Sequence, residues 1–555
     1  MAHRSRHTGA AALVKSLLAH EASMAFGVPG ESYLAALDAL HDERETLPFI
    51  TCRHEAAAAN MAEAFGKLTG RPGIAFVTRG PGATHATTGL HTAYQDSTPM
   101  LLLIGQVARH MRDREAFQEL DYARFLGEVT KWTGEVADPD RMAEYVGRAF
   151  ATALAGRQGP TALALPEDVL SAPAAAQPAA PHPALQAAPA TDDVAATARL
   201  LAAAKRPLLV IGGTPWEEAE ATALQQFAER RGLPIAVSFR AQSLIDNDSP
   251  AYAGHLGLGA NPALLERLGQ ADLVLAIGPR LGEVTTAGYT RLRVPIPEQR
   301  LIHVHAGAEE LGRVYRGERL INAAPGAFAA ALAAEDPALS RQEQAAEAHA
   351  AENAWRAPLA NAGRVQIAAV MADLRRALPS EAIIANGAGN YAAWLHRFFA
   401  YRGFKTQLAP TSGAMGYGVP AGIAAALIEP DRPTVALAGD GCFLMSGSEL
   451  ATAARYGVRV VFIVVNNGML GTIRMHQERT FPGRPLGTDL TNPDFVAYAK
   501  SFGLEAWAVD ETDAFAPALE RALAAQGPSL IELKVDPEAI SPTASLSEIR
   551  ATRPS

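Results

Sequence analysis

TVALAGDGCFLMSGSELATAARYGVRVVFIVVNNGML, residues 434–470, sets one apolar run ending in Gly-Asp-Gly against a second ending in Asn-Asn, with a helical pattern between them. Short, fully apolar runs separated by helices read as parallel strands covered on both faces. A half-exposed strand would instead alternate apolar with polar residues. Asp440 then emerges at the carboxyl edge of the first strand, and Asn466 and Asn467 at the same edge of the next. A right-handed crossover brings those strand ends close together. Asp440 and Asn467 offer hard oxygen atoms suited to Mg²⁺ or Ca²⁺, and Mg²⁺ often completes its shell with phosphate oxygens and water. Gly439 and Gly441 would let a diphosphate approach the backbone. Ser446 and Glu449 read as a capping box at the start of the intervening helix. From these residues alone, a turn acid and an unrelated turn amide is the competing reading.

The same alternation runs through the chain. GIAFVTR and PMLLLIGQV are strands flanking a helical GATHATTGLHTAYQD; RPLLVIGG, LPIAVSF, ADLVLAIG and RLIHVHA follow; AIIANG, PTVALAGDG, VRVVFIVVNN and PSLIELKV complete the set. The pattern predicts an α/β protein of three doubly wound parallel-sheet domains, whose ligands sit beyond the carboxyl ends of the strands. A Pro/Ala-rich linker at 173–191 and a charged, Ala-rich helical connector at 335–357 divide it into domains at 1–172, 192–334 and 358–555.

Composition excludes several classes. Of 555 residues, 48% are hydrophobic and 19% charged, enough to bury large cores. The net charge of −9 comes without a Lys/Arg block, which argues against nucleic acid or an anionic membrane as partner. Two cysteines imply no disulfide framework and fit a reducing cytoplasm. No run approaches the roughly 20 apolar residues of a membrane span. The N-terminus reads from Thr8 as an amphipathic helix rather than a signal peptide.

LPFITCRHEAAAANMAEAFGKLTG (47–70) is a strand running into a helix, with Glu55 at the junction. A Glu there is also what the helix dipole favours by itself. The order G-D-G, helix, apolar strand, N-N resembles the diphosphate-binding motif of thiamine diphosphate (ThDP) enzymes. FGVPGESYL, RHEAAAA, GPGATHATTGL, AFQELD, TKW, TSGAMGYGVPAGI and GDGCF…NNGMLGTIR extend the likeness over nearly the whole chain. They make it similar to the acetolactate synthase (acetohydroxyacid synthase) large-subunit branch of that family.

The resemblance implies a site. Asp440, Asn467 and the carbonyl of Met469 would hold Mg²⁺. Gly389 and Asn390 in NGAGNYAAW, with Gly413, Gly439, Gly441 and Leu470, would surround the cofactor. Met415 would wedge under it, and Cys442 would pack beside it rather than act as a nucleophile. Glu55 would hydrogen-bond the aminopyrimidine ring, usually of a cofactor held by a partner subunit, so a homodimer or homotetramer is implied. Phe117, Gln118 and Lys131 match substrate-pocket positions, and His85 or His91 is a candidate acid/base beside them. The implied partners are small 2-oxo acids or 2-hydroxy ketones. The implied activity is a transferase or lyase: decarboxylation of a 2-oxo acid such as pyruvate, then addition of the remaining unit to an acceptor carbonyl. The alternative is a 2-oxo acid decarboxylase, or an acyloin lyase of the benzaldehyde lyase kind. A dehydrogenase fits less well, because VIGGTPWEEAE matches G-x-G-x-x-G poorly.

Three departures stand out. Glu31 in FGVPGES replaces a second glycine, and would crowd or repel an anionic acceptor or act as an extra acid/base. His476 in GTIRMHQE occupies the place of a Trp that shapes acceptor choice in the biosynthetic enzymes. HVHAGAEELG lacks the acidic residues found after that strand, which argues against the FAD that many members carry.

Overall fold

The structure, a computed structural model, describes residues 8–175, 177–181, 183–335 and 342–552. Ala176 and His182 of the expected linker and residues 336–341 of the expected connector lie outside the described residues. The rest of the connector is a helix, Gln342–Trp355.

The strands form three six-stranded sheets, every pairing parallel. In the first, β1 (Ala25–Gly27), β2 (Phe49–Thr51), β3 (Gly73–Val77), β4 (Met100–Gln106), β5 (Trp132–Glu135) and β6 (Pro160–Pro166) lie in the order β2-β1-β3-β4-β6-β5. In the second, β7 (Pro207–Ile211), β8 (Ile235–Val237), β9 (Tyr252–His255), β10 (Leu273–Ile277), β11 (Arg300–His305) and β12 (Arg319–Asn322) run β12-β11-β10-β7-β8-β9. In the third, β13 (Ile383–Asn386), β14 (Gln407–Leu408), β15 (Thr434–Gly439), β16 (Val460–Asn466), β17 (Glu505–Val509) and β18 (Ser529–Lys534) run β14-β13-β15-β16-β18-β17. The predicted class holds: α/β, with three parallel sheets flanked by helices. Every residue of β3, β4, β6, β7 and β10 is buried, as strands covered on both faces must be.

The chain gathers into two compact units. One comprises Met1–Leu185, Ile423–Ile428 and Ser446–Tyr456 and holds the first sheet; the other holds the remaining two sheets. Each sheet has a point where the strand order reverses, between β1 and β3, between β10 and β7, and between β13 and β15. Ligands of doubly wound folds bind at such points. At the central one the strand ends approach so closely that only glycine fits: a Cβ on Gly213 (φ +64°) would overlap the carbonyl oxygen of Gly278, and one on Gly212 would overlap the Ser238 side chain.

One expected detail is absent. Ser446 makes no side-chain cap, its hydroxyl is buried without a hydrogen-bond partner, and the crossover forms two short helices, Asp440–Leu444 and Leu450–Tyr456, joined by a 3-10 turn. Glu449 turns to the backbone of Arg53 and His54 instead of closing a capping box.

The second unit buries His255 and His303 almost completely, and burial lowers both to about 4. His303 Nε2 donates to the carbonyl of Pro279 at 2.8 Å, which offsets part of that shift. Unfolding returns both rings to water, where they take up protons near pH 6.5. The unfolded chain therefore binds more protons than the folded one between about pH 6.5 and 4, and stability falls as pH drops through that window. The expected loss between pH 7.5 and 4.5 is about 2 to 3 kcal/mol per histidine. Urea midpoints at the two pH values measure it, and His303→Gln should flatten the fall; a midpoint that does not move would refute it.

Candidate active site

The third sheet opens a cavity of about 260 Å³ at the carboxyl edge of β13, β15 and β16. Parallel pairing sets Gly439 opposite Val465, so Asp440 follows β15 just where β16 ends in Asn466 and Asn467. Asp440 is buried and accepts from four directions: Gly441 N–H at 2.9 Å, Gly468 N–H and the Asn492 amide at 2.8 Å each, and the Met469 backbone. Burial pushes its carboxyl up, against those donors. A carboxylate so placed is suited to a cation, which would relieve the cost of removing its charge from water.

The two asparagines have separate tasks. Asn466 is spent on the protein: its amide donates to Glu532 at 2.7 Å, and its oxygen accepts from Asn492 and Gly468. Asn467 lines the cavity, with its oxygen receiving only a 3.2 Å contact from Met469 N–H. Met469 lines it too, and its carbonyl, which accepts from Gly471 N–H at 2.9 Å, keeps a second lone pair. An acid, an amide and a carbonyl make the hard-oxygen set that Mg²⁺ takes alongside phosphate oxygens.

The walls fit a phosphate-bearing ligand. A Cβ on Gly439 would lie 2.9 Å from the Tyr391 ring, and one on Gly441 would lie 2.7 Å from Leu470. Gly389 (φ +147°) and Gly413 (φ +69°) adopt backbone conformations that side-chain-bearing residues rarely take. Asn390 donates to the carbonyl of Ile540 at 2.8 Å and accepts from Thr472 at 2.9 Å. Met415 and Cys442 line the same cavity, and the Cys442 sulfur is held by Gly416 N–H at 3.2 Å and the Tyr391 hydroxyl at 3.4 Å. All the residues expected around the cofactor, Glu55 apart, thus line this one cavity.

Glu55 begins the helix Glu55–Thr69, with His54 as its N-cap. Its side chain is 13% exposed and lies 2.9 Å from His85 Nδ1. His54 and His85 stack with ring centroids 4.5 Å apart. The strand end before Glu55 is clamped from far along the chain. Glu449, fully buried, accepts from the consecutive N–H groups of Arg53 and His54 at 2.9 and 3.0 Å, and Tyr456 accepts from Thr51 N–H at 2.8 Å. Burial raises the Glu449 carboxyl, while the two backbone donors and Thr452 pull it back.

The remaining expected residues divide. Glu31 follows β1 and is 66% exposed, 3.4 Å from the guanidinium of Arg79 after β3. Arg79 also donates to the Phe117 carbonyl at 3.4 Å, and Gly80 N–H donates to the Gln118 carbonyl at 3.0 Å. Glu31, Phe117 and Gln118 therefore meet at the reversal point of the first sheet, with the Phe117 ring exposed. Glu119 shapes that loop by accepting from the backbone of Asp113 and Ala116 and from Arg112. Lys131 departs from expectation. Its ammonium donates to the carbonyls of Thr152 and Ala155, where unpaired carbonyls at a helix C-terminus draw a cation, so it is not a free charge at a pocket rim. His476 and His91 are exposed on the helices Gly471–Thr480 and Gly80–Asp96.

The sequence reading does not single out Arg79 or Asn492, and takes Glu449 only as the capping-box partner of Ser446. Only Arg79 carries a local signal, a charge placed directly after a fully apolar strand.

The comparisons agree with this geometry. The chain matches the thiamine pyrophosphate enzyme models for the N-terminal TPP binding domain over residues 7–125, the central domain over 194–332 and the C-terminal TPP binding domain over 387–533. It is 32% identical to the acetolactate synthase large subunit of Parasynechococcus marenigrum, covering 95% of this chain and 87% of that one. It is 30% identical to the probable acetolactate synthase large subunit of Methanocaldococcus jannaschii (95% and 92% covered) and to the catabolic acetolactate synthase of Raoultella terrigena (95% of each). The chain belongs to the thiamine pyrophosphate enzymes, in the branch of the acetolactate synthase large subunits.

Proposed function

We propose that the protein is a ThDP- and Mg²⁺-dependent carboligase of the acetolactate synthase type, decarboxylating a 2-oxo acid such as pyruvate and joining the remaining unit to an acceptor carbonyl. The observation that carries this reading is the cavity where Asp440 and Asn467 meet at the carboxyl edge of the third sheet. Bound ThDP supplies the carbon nucleophile and the electron sink for decarboxylation. Asp440, Asn467 and the Met469 carbonyl hold the metal, and the glycines at 389, 413, 439 and 441 admit the diphosphate to the backbone. Met415 supports the cofactor from below. Glu55 holds a proton against the aminopyrimidine ring, in a homodimer or homotetramer where each subunit serves its partner's cofactor. Phe117 and Gln118 face the substrate, and Glu31 and His476 set acceptor choice. The domains run 1–172 for the aminopyrimidine, 192–334 and 358–555 for the diphosphate, joined by the linker 173–191 and the connector 335–357.

FAD has no part in this proposal. The reading against FAD rests on HVHAGAEELG, which lacks the acidic residues found after that strand in relatives that carry it. No helix among the described residues is long and apolar enough to cross a membrane, which is compatible with a cytoplasmic enzyme.

Two measurements test the reading. Purified protein with pyruvate, ThDP and Mg²⁺ should release CO₂ and form acetolactate, both largely lost in Glu55→Gln. CO₂ without acetolactate would make it a decarboxylase, and neither product despite ThDP binding would remove pyruvate as donor. Asn492→Ala, which strips a donor from Asp440 without touching the metal, should weaken Mg²⁺ affinity by roughly 10-fold, as loss of outer metal partners does. Calorimetry with Mg²⁺ and ThDP reads it, and wild-type affinity would deny Asp440 the metal.

A further inference from the structure

We infer that His85 is the proton carrier of Glu55, holding the carboxylate by one ring nitrogen and exchanging protons between it and water. The inference rests on the role proposed above for Glu55. That role requires Glu55 to alternate between acid and carboxylate, yet its side chain is largely enclosed, with 13% exposed. His85 is 52% exposed, and its Nδ1 lies 2.9 Å from Glu55 Oε2. Within the single chain one ring therefore touches the carboxylate on one side and leaves the protein surface on the other.

The neighbours fix this ring in place. His54 stacks on it at 4.5 Å with 30° between the planes. His54 is itself anchored, because its Nδ1 accepts the N–H of Ala56 at 3.1 Å. That same bond makes His54 the N-cap of the helix that Glu55 begins, so both rings and the carboxylate are set by one helix start. On the other side Gly82 borders Oε1 without a side chain, and even a Cβ there would lie 3.4 Å from it, an ordinary contact. Oε1 stays available for the cofactor ring while Oε2 is held by His85.

With Glu55 ionised, its oxygens only accept, so His85 carries its proton on Nδ1. To protonate Glu55, a buffer acid gives a proton to Nε2, the Nδ1–H bond breaks, and an O–H bond forms at Oε2. The buffer base is left behind, and the ring ends as the Nε2–H tautomer. The reverse sequence deprotonates Glu55. No oxidant, reductant or further reactant enters. His85 acts through Glu55 and is in this sense a positioning residue; His54 positions His85.

The test is exchange of the C2 hydrogen of bound ThDP for deuterium, followed by acid quench and NMR on the full-length protein with Mg²⁺ and no substrate. His85→Asn keeps an N–H donor toward Glu55 but cannot pass a proton through. It should slow exchange by roughly 100-fold, the scale of a lost acid–base partner, with ThDP affinity by calorimetry unchanged. His85→Ala should be equally slow and should regain rate as imidazole is added, whereas the wild type should not respond. Exchange at the wild-type rate in His85→Asn, loss of ThDP affinity in that variant, or no response of His85→Ala to imidazole would each overturn the inference. Glu55→Gln is the control for its premise. If that variant exchanges at the wild-type rate, the role assigned to Glu55 fails, a result distinct from a failure at His85.

Discussion

The parallel register of β15 with β16 is the constraint from which the diphosphate cavity follows. Both strands are buried along nearly their whole length and, after Thr434, carry only apolar side chains until they end. Gly439 pairs with Val465, and the polar residues at the carboxyl ends of the two strands therefore emerge together. A one-residue slip would point Asp440 to the opposite face of the sheet and separate it from Gly468 N–H and Asn492. Apolar strand composition, chosen by burial, thus decides where the chemistry is placed.

A second long-range constraint acts in the unit that carries Glu55. The buried Glu449 carboxylate would be costly if unpaired, and three donors satisfy it: Arg53 N–H, His54 N–H and the Thr452 hydroxyl. Two of these are the last backbone donors before Glu55. The chain turn that presents Glu55 is therefore held by a charge nearly 400 positions away in sequence, on the crossover that leaves Asp440 nine residues earlier. The same sequence segment serves the cavity at one end and the Glu55 turn at the other.

This division explains what the sequence could disclose. Central strands such as PMLLLIGQV and VRVVFIVVNN announce themselves because burial on both faces demands unbroken apolar runs. Short edge strands do not: β14 has two residues, and β5 is only half buried, so neither leaves a composition signal. Asp440, Asn467 and the glycines stand next to those legible strands, and their grouping could be anticipated from strand order alone. Arg79, Glu449 and Asn492 owe their places to contacts formed by distant segments, which no local period encodes. Ser446 and Glu449 show the opposite error: the capping-box spacing is real, but burial against the Arg53–His54 backbone offers Glu449 better partners than its own helix. Lys131 fails for a similar reason, since the open carbonyls of Thr152 and Ala155 lie within its reach.

The first and third sheets use their reversal points in different ways. At the third, glycines and backbone N–H groups converge on one acid, a lining suited to a metal and a diphosphate. At the first, charged side chains gather: the Arg79 guanidinium is nearly buried, its Nε has no hydrogen-bond partner, and Glu31 and Glu167 approach it only to 3.4 and 3.7 Å. Contacts of that length are weak for so enclosed a cation. Two carboxylates facing one guanidinium also leave a net negative charge at this point, which would oppose an approaching anion. Glu31, two-thirds exposed, is free to move, whereas the Arg79 guanidinium is enclosed, with the Phe117 carbonyl 3.4 Å away. The charge at this reversal point therefore rests most on Glu31, the most exposed of the three side chains that gather there.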